Sequence, residues 1–339
     1  MDATLTQAGA RMLVECRVEP FDQLISEACG PALVTRAAAP PGDRQPGEPD
    51  IHLVVDRRTD AFDLAGWQPL TREAYHHDGK VVLHNACGSG FDLRVTVSPS
   101  LSSARIRLEA RYRPPTRERL AAYGLRSRFH LLARAVLLQY PALWVAGTRG
   151  RAPLHAAAVR LDSGVALLAG PGGVGRSTML LQALSRGAVA CSDNLCVSDG
   201  KVVHGLVEPV RIEGAGGRRM PHGRGERSLP GRVDSLVPDR VVVLRRAAGR
   251  PTTLAPLPGP RAAEALVAGT YMAGELRRYW PFAATLTYGT RRGPVHPPIA
   301  AAAAALGRLP SVEITLGDRP VPTLGELLAD AALRTEVSA

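Results

Sequence analysis

The chain has 339 residues and is 45% hydrophobic, enough to bury a large core in two domains or one elaborated one. No run reads as a membrane span, and the opening MDATLTQAGARMLVEC lacks the layout of a signal peptide, so no membrane association and a cytoplasmic location are expected. The net charge of +11 would suit a polyanion, yet Lys80 and Lys201 are the only lysines, a skew typical of GC-rich coding; aromatics are only 4% and no nucleic-acid-binding signature is present, which argues against nucleic acid as a partner.

Residues 1–36 read as a short amphipathic segment and residues 37–50 as a proline-glycine linker, AAAPPGDRQPGEP from Ala37 to Pro49. Residues 51–140 are expected to form a smaller β-rich N-terminal domain. Ile51–Asp56, Lys80–Ala86, Phe91–Val97 and Ala104–Tyr112 alternate as strands between turn residues and suggest a meander. Pro114 and Pro115 end the sheet, and Arg117–Tyr140 is apolar at helical spacing with arginines opposite, a helix that closes this domain. Residues 141–332 make the expected core domain, α/β in class, and residues 333–339 a tail. The core should hold an interior strand at Arg240–Arg246, helices at Arg261–Ala273, Pro298–Leu306 and Leu324–Arg334, and a strand at Ser311–Leu316. Between them the glycine- and arginine-rich stretch from Glu213 to Arg232 reads as a mobile loop; its guanidinium groups could dock an acidic peptide or close over a nucleotide. The five cysteines (Cys16, Cys29, Cys87, Cys191, Cys196) are odd in number and lack metal-ligand spacing, so they read as small buried residues of a reducing compartment.

The chemistry concentrates in Val165–Asn194. An apolar strand enters GPGGVGRST (Gly170 to Thr178), a helical pattern runs on to Gly187, and a second apolar run delivers Asp193. Glycines let backbone N–H groups converge on phosphate oxygens, and the new helix adds its positive end. Two phosphate loops fit. As G-x-G-x-x-G, Gly170, Gly172 and Gly175 make a dinucleotide fingerprint with Asp193 as the ribose acid, implying an oxidoreductase. As G-x-x-x-x-G-K-[ST], Gly170, Gly172, Gly173, Val174 and Gly175 make a Walker A loop, with Arg176 in the lysine position and Ser177 or Thr178 as the Mg²⁺ hydroxyl. The stretch after Asn194 favours the Walker A loop: Leu195–Leu206 holds two short β-prone runs around Asp199-Gly200, a hairpin, where a dinucleotide fold needs a further helix and parallel strand.

Upstream, PLHAAAV (Pro153 to Val159) puts His155 at the edge of a neighbouring strand. A histidine there, a strand into a Walker A loop, a helix, and an acid pair on the next strand resemble the HPr kinase/phosphorylase superfamily, in particular HPr-kinase-related proteins found among peptide-tailoring enzymes. The resemblance covers roughly 142–328 and is most specific at His155 and 170–194. It implies a P-loop kinase fold of HPr-kinase type with a small N-terminal domain, ATP and Mg²⁺ as cofactors, transfer of phosphate to a serine hydroxyl of a peptide or protein, and self-association into a homo-oligomer. Asp193 would act as base and metal ligand, Ser177 as the second metal ligand, and His155 would orient that carboxylate or contact phosphate. Two positions depart from the pattern: Arg176 replaces the lysine, a planar fork instead of a compact ammonium that would keep the positive charge and neutralise phosphate as a catalytic residue, and Asn194 replaces the second acid. A catalytically degenerate relative that binds nucleotide or peptide for a tailoring enzyme is the alternative. His204 and Glu208, near the hairpin end, are further candidate ligands otherwise read as surface residues.

Overall fold

Alternating apolar residues begin at the N-terminus, and Asp2–Gln7 folds back on Ala10–Cys16 through Ala8 and Gly9, both at positive φ (51° and 67°) as a two-residue hairpin turn requires. The structure is a computed structural model that describes residues 1–35, 48–98, 104–212, 223, 225–318 and 322–329. It is a mixed α/β protein with several sheets, divided into two compact units. Unit 1 comprises Met1–Gly150, Glu213–Ser228 and Arg277–Pro297; unit 2 comprises Arg151–Ile212, Leu229–Leu276 and Pro298–Ala339.

The expected division at 36, 50, 140 and 332 is not the one observed. The hairpin strands at the N-terminus are no separate segment but belong to the nine-stranded sheet of unit 1, where Ala10–Cys16 pairs in parallel with Ile51–Asp56. Unit 1 is therefore the larger of the two by span. Lys80–Leu83, Phe91–Val97 and Ile106–Tyr112 form the expected meander. Ile51–Asp56 does not precede it in space; it inserts between Ala10–Cys16 and Ile106–Tyr112, parallel to both, with Ile51, Leu53 and Val55 fully buried. Most of the linker, the C-terminal tail and residues 213–222 lie outside the described residues.

The closing helix of unit 1 runs past Tyr140. Arg126–Arg134 continues through a π-helical turn, Ala135–Gln139, into Tyr140–Thr148. Pro141 has no N–H to return to the preceding turn, and Tyr140 N–H reaches back five residues to the Ala135 carbonyl instead. By length and composition alone Arg126–Thr148 could cross a membrane, a length hidden in the sequence by Pro141, where the helical pattern was expected to stop; 78% of its apolar window is buried inside the protein. Trp144 donates to Thr287 Oγ1 at 3.2 Å, and Tyr140 packs on Tyr279 and Phe282 of Tyr279–Thr290. That helix, YWPFAATLTYGT, was not expected, because its aromatics, Pro281 and Gly289 carry no clear helical signal.

Unit 2 holds a six-stranded sheet in the order Val189–Ser192, Ala157–Leu161, Gly164–Ala169, Arg240–Arg246, Ser311–Leu316, Thr253–Pro256. Arg240–Arg246 is the interior strand expected, parallel to both neighbours. The predicted hairpin forms with Val197 opposite His204, in a separate antiparallel sheet with Ala152–Leu154 and Ser235–Leu236. Helices Gly259–Met272 and Ile299–Leu306 and the helical stretch within 324–329 stand where the periodicity put them. None of the five cysteines is in a disulfide, and all but Cys87 are buried.

Within unit 1, Arg134 is 6% exposed and its guanidinium meets both carboxylate oxygens of Glu226, at 3.1 and 3.2 Å. Removing one partner strands a buried charge. Glu226→Ala should lower the unfolding free energy by about 3 kcal/mol, read from the denaturation midpoint, whereas Glu264→Ala, in an exposed pair with Arg261, should change it by less than about 0.5 kcal/mol.

Candidate functional site

Gly164–Ala169 is buried from Ala166 onward and runs in parallel register with Arg240–Arg246, so it delivers the chain to the end of the sheet at Gly170. Gly170 holds φ +147°, and a Cβ there would stand 2.8 Å from the Leu244 carbonyl oxygen, so only glycine can make this turn. Val174 is buried in the core of unit 2 and pins the loop from below. Gly172 and Gly173 are exposed, with open space where side chains would be. Helix Arg176–Leu184 starts without a side-chain cap, and its first return bond is Met179 N–H to the Gly175 carbonyl at 3.0 Å. The N–H groups of Arg176, Ser177 and Thr178 are thus the orphan donors of a helix N-terminus, the arrangement that accepts an anion.

Ser177 and Thr178 part company at this point. Thr178 is exposed, while Ser177 Oγ donates to Asp193 Oδ2 at 2.9 Å. Asp193, 2% exposed, comes directly after the strand Val189–Ser192. Hydroxyl and carboxylate therefore face each other beside the glycine loop, two hard oxygen ligands of the kind Mg²⁺ takes together with substrate phosphates. Among the described residues no group of three His, Cys, Asp or Glu side chains is arranged to hold a metal. His204 lies half-buried in the hairpin strand Val203–Gly205, its pKa lowered by burial and by Arg151.

Arg176 does not reach outward to the loop. It is only 7% exposed, and its terminal nitrogens donate inward: Nη1 to the carbonyls of His155 (3.0 Å) and Gly170 (3.3 Å), Nη2 to His155 Nε2 (2.7 Å) and Asn194 Oδ1 (3.1 Å). All four terminal N–H hydrogens are thereby committed. Arg176, expected at the phosphate, is here a structural brace that ties the loop, the His155 strand edge and the Asp193-Asn194 turn together. Its pKa is lowered by burial, against the pull of Asp193 and Glu208.

His155 is 5% exposed; its backbone N–H donates to Thr270 Oγ1 at 3.1 Å. Burial, and then the Arg176 charge, pull its pKa from 6.5 down to about 4. The ring is neutral at physiological pH, with Nε2 accepting from Arg176, so it supplies no positive charge to a phosphate and makes no hydrogen bond to Asp193. His155 Nδ1, Arg176 Nε and Asn194 Nδ2 are buried without partners among the described residues. Nearby, burial raises the Glu275 carboxyl but the Arg211 cation at 2.6 Å more than reverses this, leaving it below its usual range.

His155, Arg176, Ser177 and Asp193 are thus brought together as the sequence spacing anticipated. Glu208 is more than the surface residue its sequence suggested: it is 6% exposed, and its Oε1 accepts the N–H groups of Asn194 (3.1 Å) and Leu195 (2.6 Å), fixing the turn that presents Asp193. Its place in VEPVRI among apolar residues was the available signal. Thr270 and Glu275 carried no sequence signal, since they come from a segment about a hundred residues downstream.

No protein-family model matches the chain, and no curated protein matches it. Among solved structures the chain is similar to the Hpr(Ser) kinase/phosphatase from Coxiella burnetii, at 13% identity over 55% of this chain and 93% of that chain, with a TM-score of 0.29. At that level the likeness assigns no role to any residue here.

The neutral buried imidazole has a measurable consequence. A group whose folded pKa is depressed contributes stability that is full above the unfolded pKa, 6.5, and is lost as pH falls toward about 4. Between pH 7 and about pH 4.5 wild type should lose about 2 kcal/mol more unfolding free energy than His155→Gln; equal losses in denaturant titrations would remove His155 as the cause.

Proposed function

We propose that this chain is an HPr-kinase-like phosphotransferase that moves the γ-phosphate of ATP to a serine or other hydroxyl of a peptide or protein in the cytoplasm, as a peptide-tailoring enzyme. The observation that carries the reading is the 2.9 Å hydrogen bond from Ser177 to Asp193 beside an uncapped helix N-terminus and a glycine loop. The open Gly172 and Gly173 positions and the orphan N–H groups of the first helical turn fit phosphate oxygens. Ser177 Oγ and Asp193 would hold Mg²⁺, which supplies charge neutralisation when bound. Asp193 would accept the acceptor hydroxyl's proton while that oxygen bonds to the γ-phosphorus and the β,γ-bridging oxygen leaves with ADP. Arg176 holds the loop in shape for this step without touching phosphate.

A second reading, a catalytically degenerate nucleotide- or peptide-binding partner of a tailoring enzyme, is favoured by the inward commitment of Arg176 together with Asn194 in place of an acid. Removing one charge-stabilising group from a transition state costs about 2 to 4 kcal/mol. Acceptor phosphorylation separates the two. A dinucleotide oxidoreductase is not proposed, because Val189–Ser192 is an edge strand paired antiparallel to Ala157–Leu161 and the chain leaves it into a hairpin.

Calorimetry with ATP should detect binding that strengthens with Mg²⁺, and Ser177→Ala should weaken the Mg²⁺-dependent part about tenfold, near 1.4 kcal/mol, while leaving Mg²⁺-free binding unchanged. No binding at millimolar ATP would end the kinase reading and leave only the peptide-binding form of the second. For the acceptor, the arginine-rich stretch within Glu213 to Arg232 is the proposed dock, with Arg232 itself excluded by its pairing with Asp234. Deleting residues 214–222, which spares Glu226, should raise the acceptor KM without lowering the melting temperature; an unchanged KM would remove the dock.

A further inference from the structure

Unit 1 contains a cavity of about 710 Å³, within the range of small-molecule sites. Its floor is aromatic. Phe21, Tyr112 and Phe129 line it, with ring centroids 5.0 Å apart for Phe21 and Tyr112 and 5.6 Å for Tyr112 and Phe129. Phe91 backs the group 4.9 Å from Phe21. The sequence has five phenylalanines, and three of them gather here beside Tyr112.

The rim has the opposite character. Arg57, Arg119 and Arg126 line the cavity and are exposed. Among the described residues neither Arg119 nor Arg126 has an ion-pair partner; Arg57 donates through Nε to the Arg17 carbonyl and keeps its terminal nitrogens. Asp56 also lines the cavity, but it lies 3.8 Å from Arg111, whose side chain is 5% exposed, and Arg58 is matched by Asp60 at 2.7 Å. The remaining charge at the mouth is therefore positive and uncompensated. Burial raises the Tyr112 hydroxyl, against the pull of Arg119, so it stays protonated and can donate.

We propose that this cavity binds a small aryl carboxylate, its ring on the Phe21, Tyr112 and Phe129 floor and its carboxylate at the Arg119 and Arg126 guanidinium groups. Aromatic faces accept a ring by stacking, and guanidinium forks bind carboxylates bidentately. All of its lining residues belong to unit 1, whereas the glycine loop 170–175 belongs to unit 2.

The test uses the full chain with 2-naphthoate and its neutral isostere 2-naphthamide in calorimetry. Saturable naphthoate binding below millimolar is expected, with the amide at least about tenfold weaker. The double variant Arg119→Ala with Arg126→Ala should lose about tenfold in naphthoate affinity while melting as wild type does, both side chains being exposed; Arg119→Glu with Arg126→Glu should abolish binding. The proposal falls if naphthoate does not saturate at millimolar concentration, if the amide binds equally, or if the double alanine variant binds as wild type. Binding only to an acidic aromatic peptide, and not to naphthoate, would also overturn it, assigning the cavity to a protein partner.

Discussion

A buried guanidinium holds the glycine-loop region of unit 2 together. Taking an arginine out of water costs several kcal/mol unless its donors are met, and Arg176 meets that cost with four inward hydrogen bonds to three separate chain segments. One goes to the carbonyl of Gly170, where the chain leaves its strand; two go to His155 on a neighbouring strand edge; one goes to Asn194 beyond the next strand. The loop, the histidine and the acidic turn are consequently positioned by one side chain. A lysine, with a single compact ammonium, could not span these acceptors in the same way.

That brace also sets the electrostatics. Burial, and then a cation 2.7 Å from Nε2, disfavour protonation of His155, which therefore contributes shape and hydrogen bonding and no charge at neutral pH. Asn194, as a neutral amide, shares Arg176 without quenching its charge. Asp193 stays available for the Ser177 hydroxyl and is presented by a turn that Glu208 clamps through two backbone N–H groups. The positive field at the loop must then come from the helix N-terminus and backbone N–H groups, with Arg176 acting from behind.

Unit 1 is built on different terms. Its sheet alternates buried and outward residues along Ala10–Cys16 and Ile51–Asp56, and a long helix with a π-helical turn fills one side. Where Arg134 enters that interior, Glu226 accompanies it with two-point geometry. Where the aromatics Phe21, Tyr112 and Phe129 meet a border of arginines, apolar surface and positive charge lie side by side.

Local pattern determined much of this protein. The apolar run into the glycines of 170–175 predicted a strand, a tight turn and a helix N-terminus, because glycines let backbone N–H groups converge there; Asp199-Gly200 predicted its hairpin; the apolar run Arg240–Arg246 predicted an interior strand. The meander was legible from Lys80 to Tyr112 by its period of two. Other features were decided by tertiary structure. Ile51–Asp56 reads the same whether it pairs with the next strand in the chain or inserts between Ala10–Cys16 and Ile106–Tyr112, since alternation specifies a buried face and not a neighbour. The direction of Arg176 was likewise invisible in sequence: a motif assigns the residue type at a phosphate loop, but whether the guanidinium faces a phosphate or the interior depends on acceptors from His155 and Asn194, which only folding brings within hydrogen-bond range.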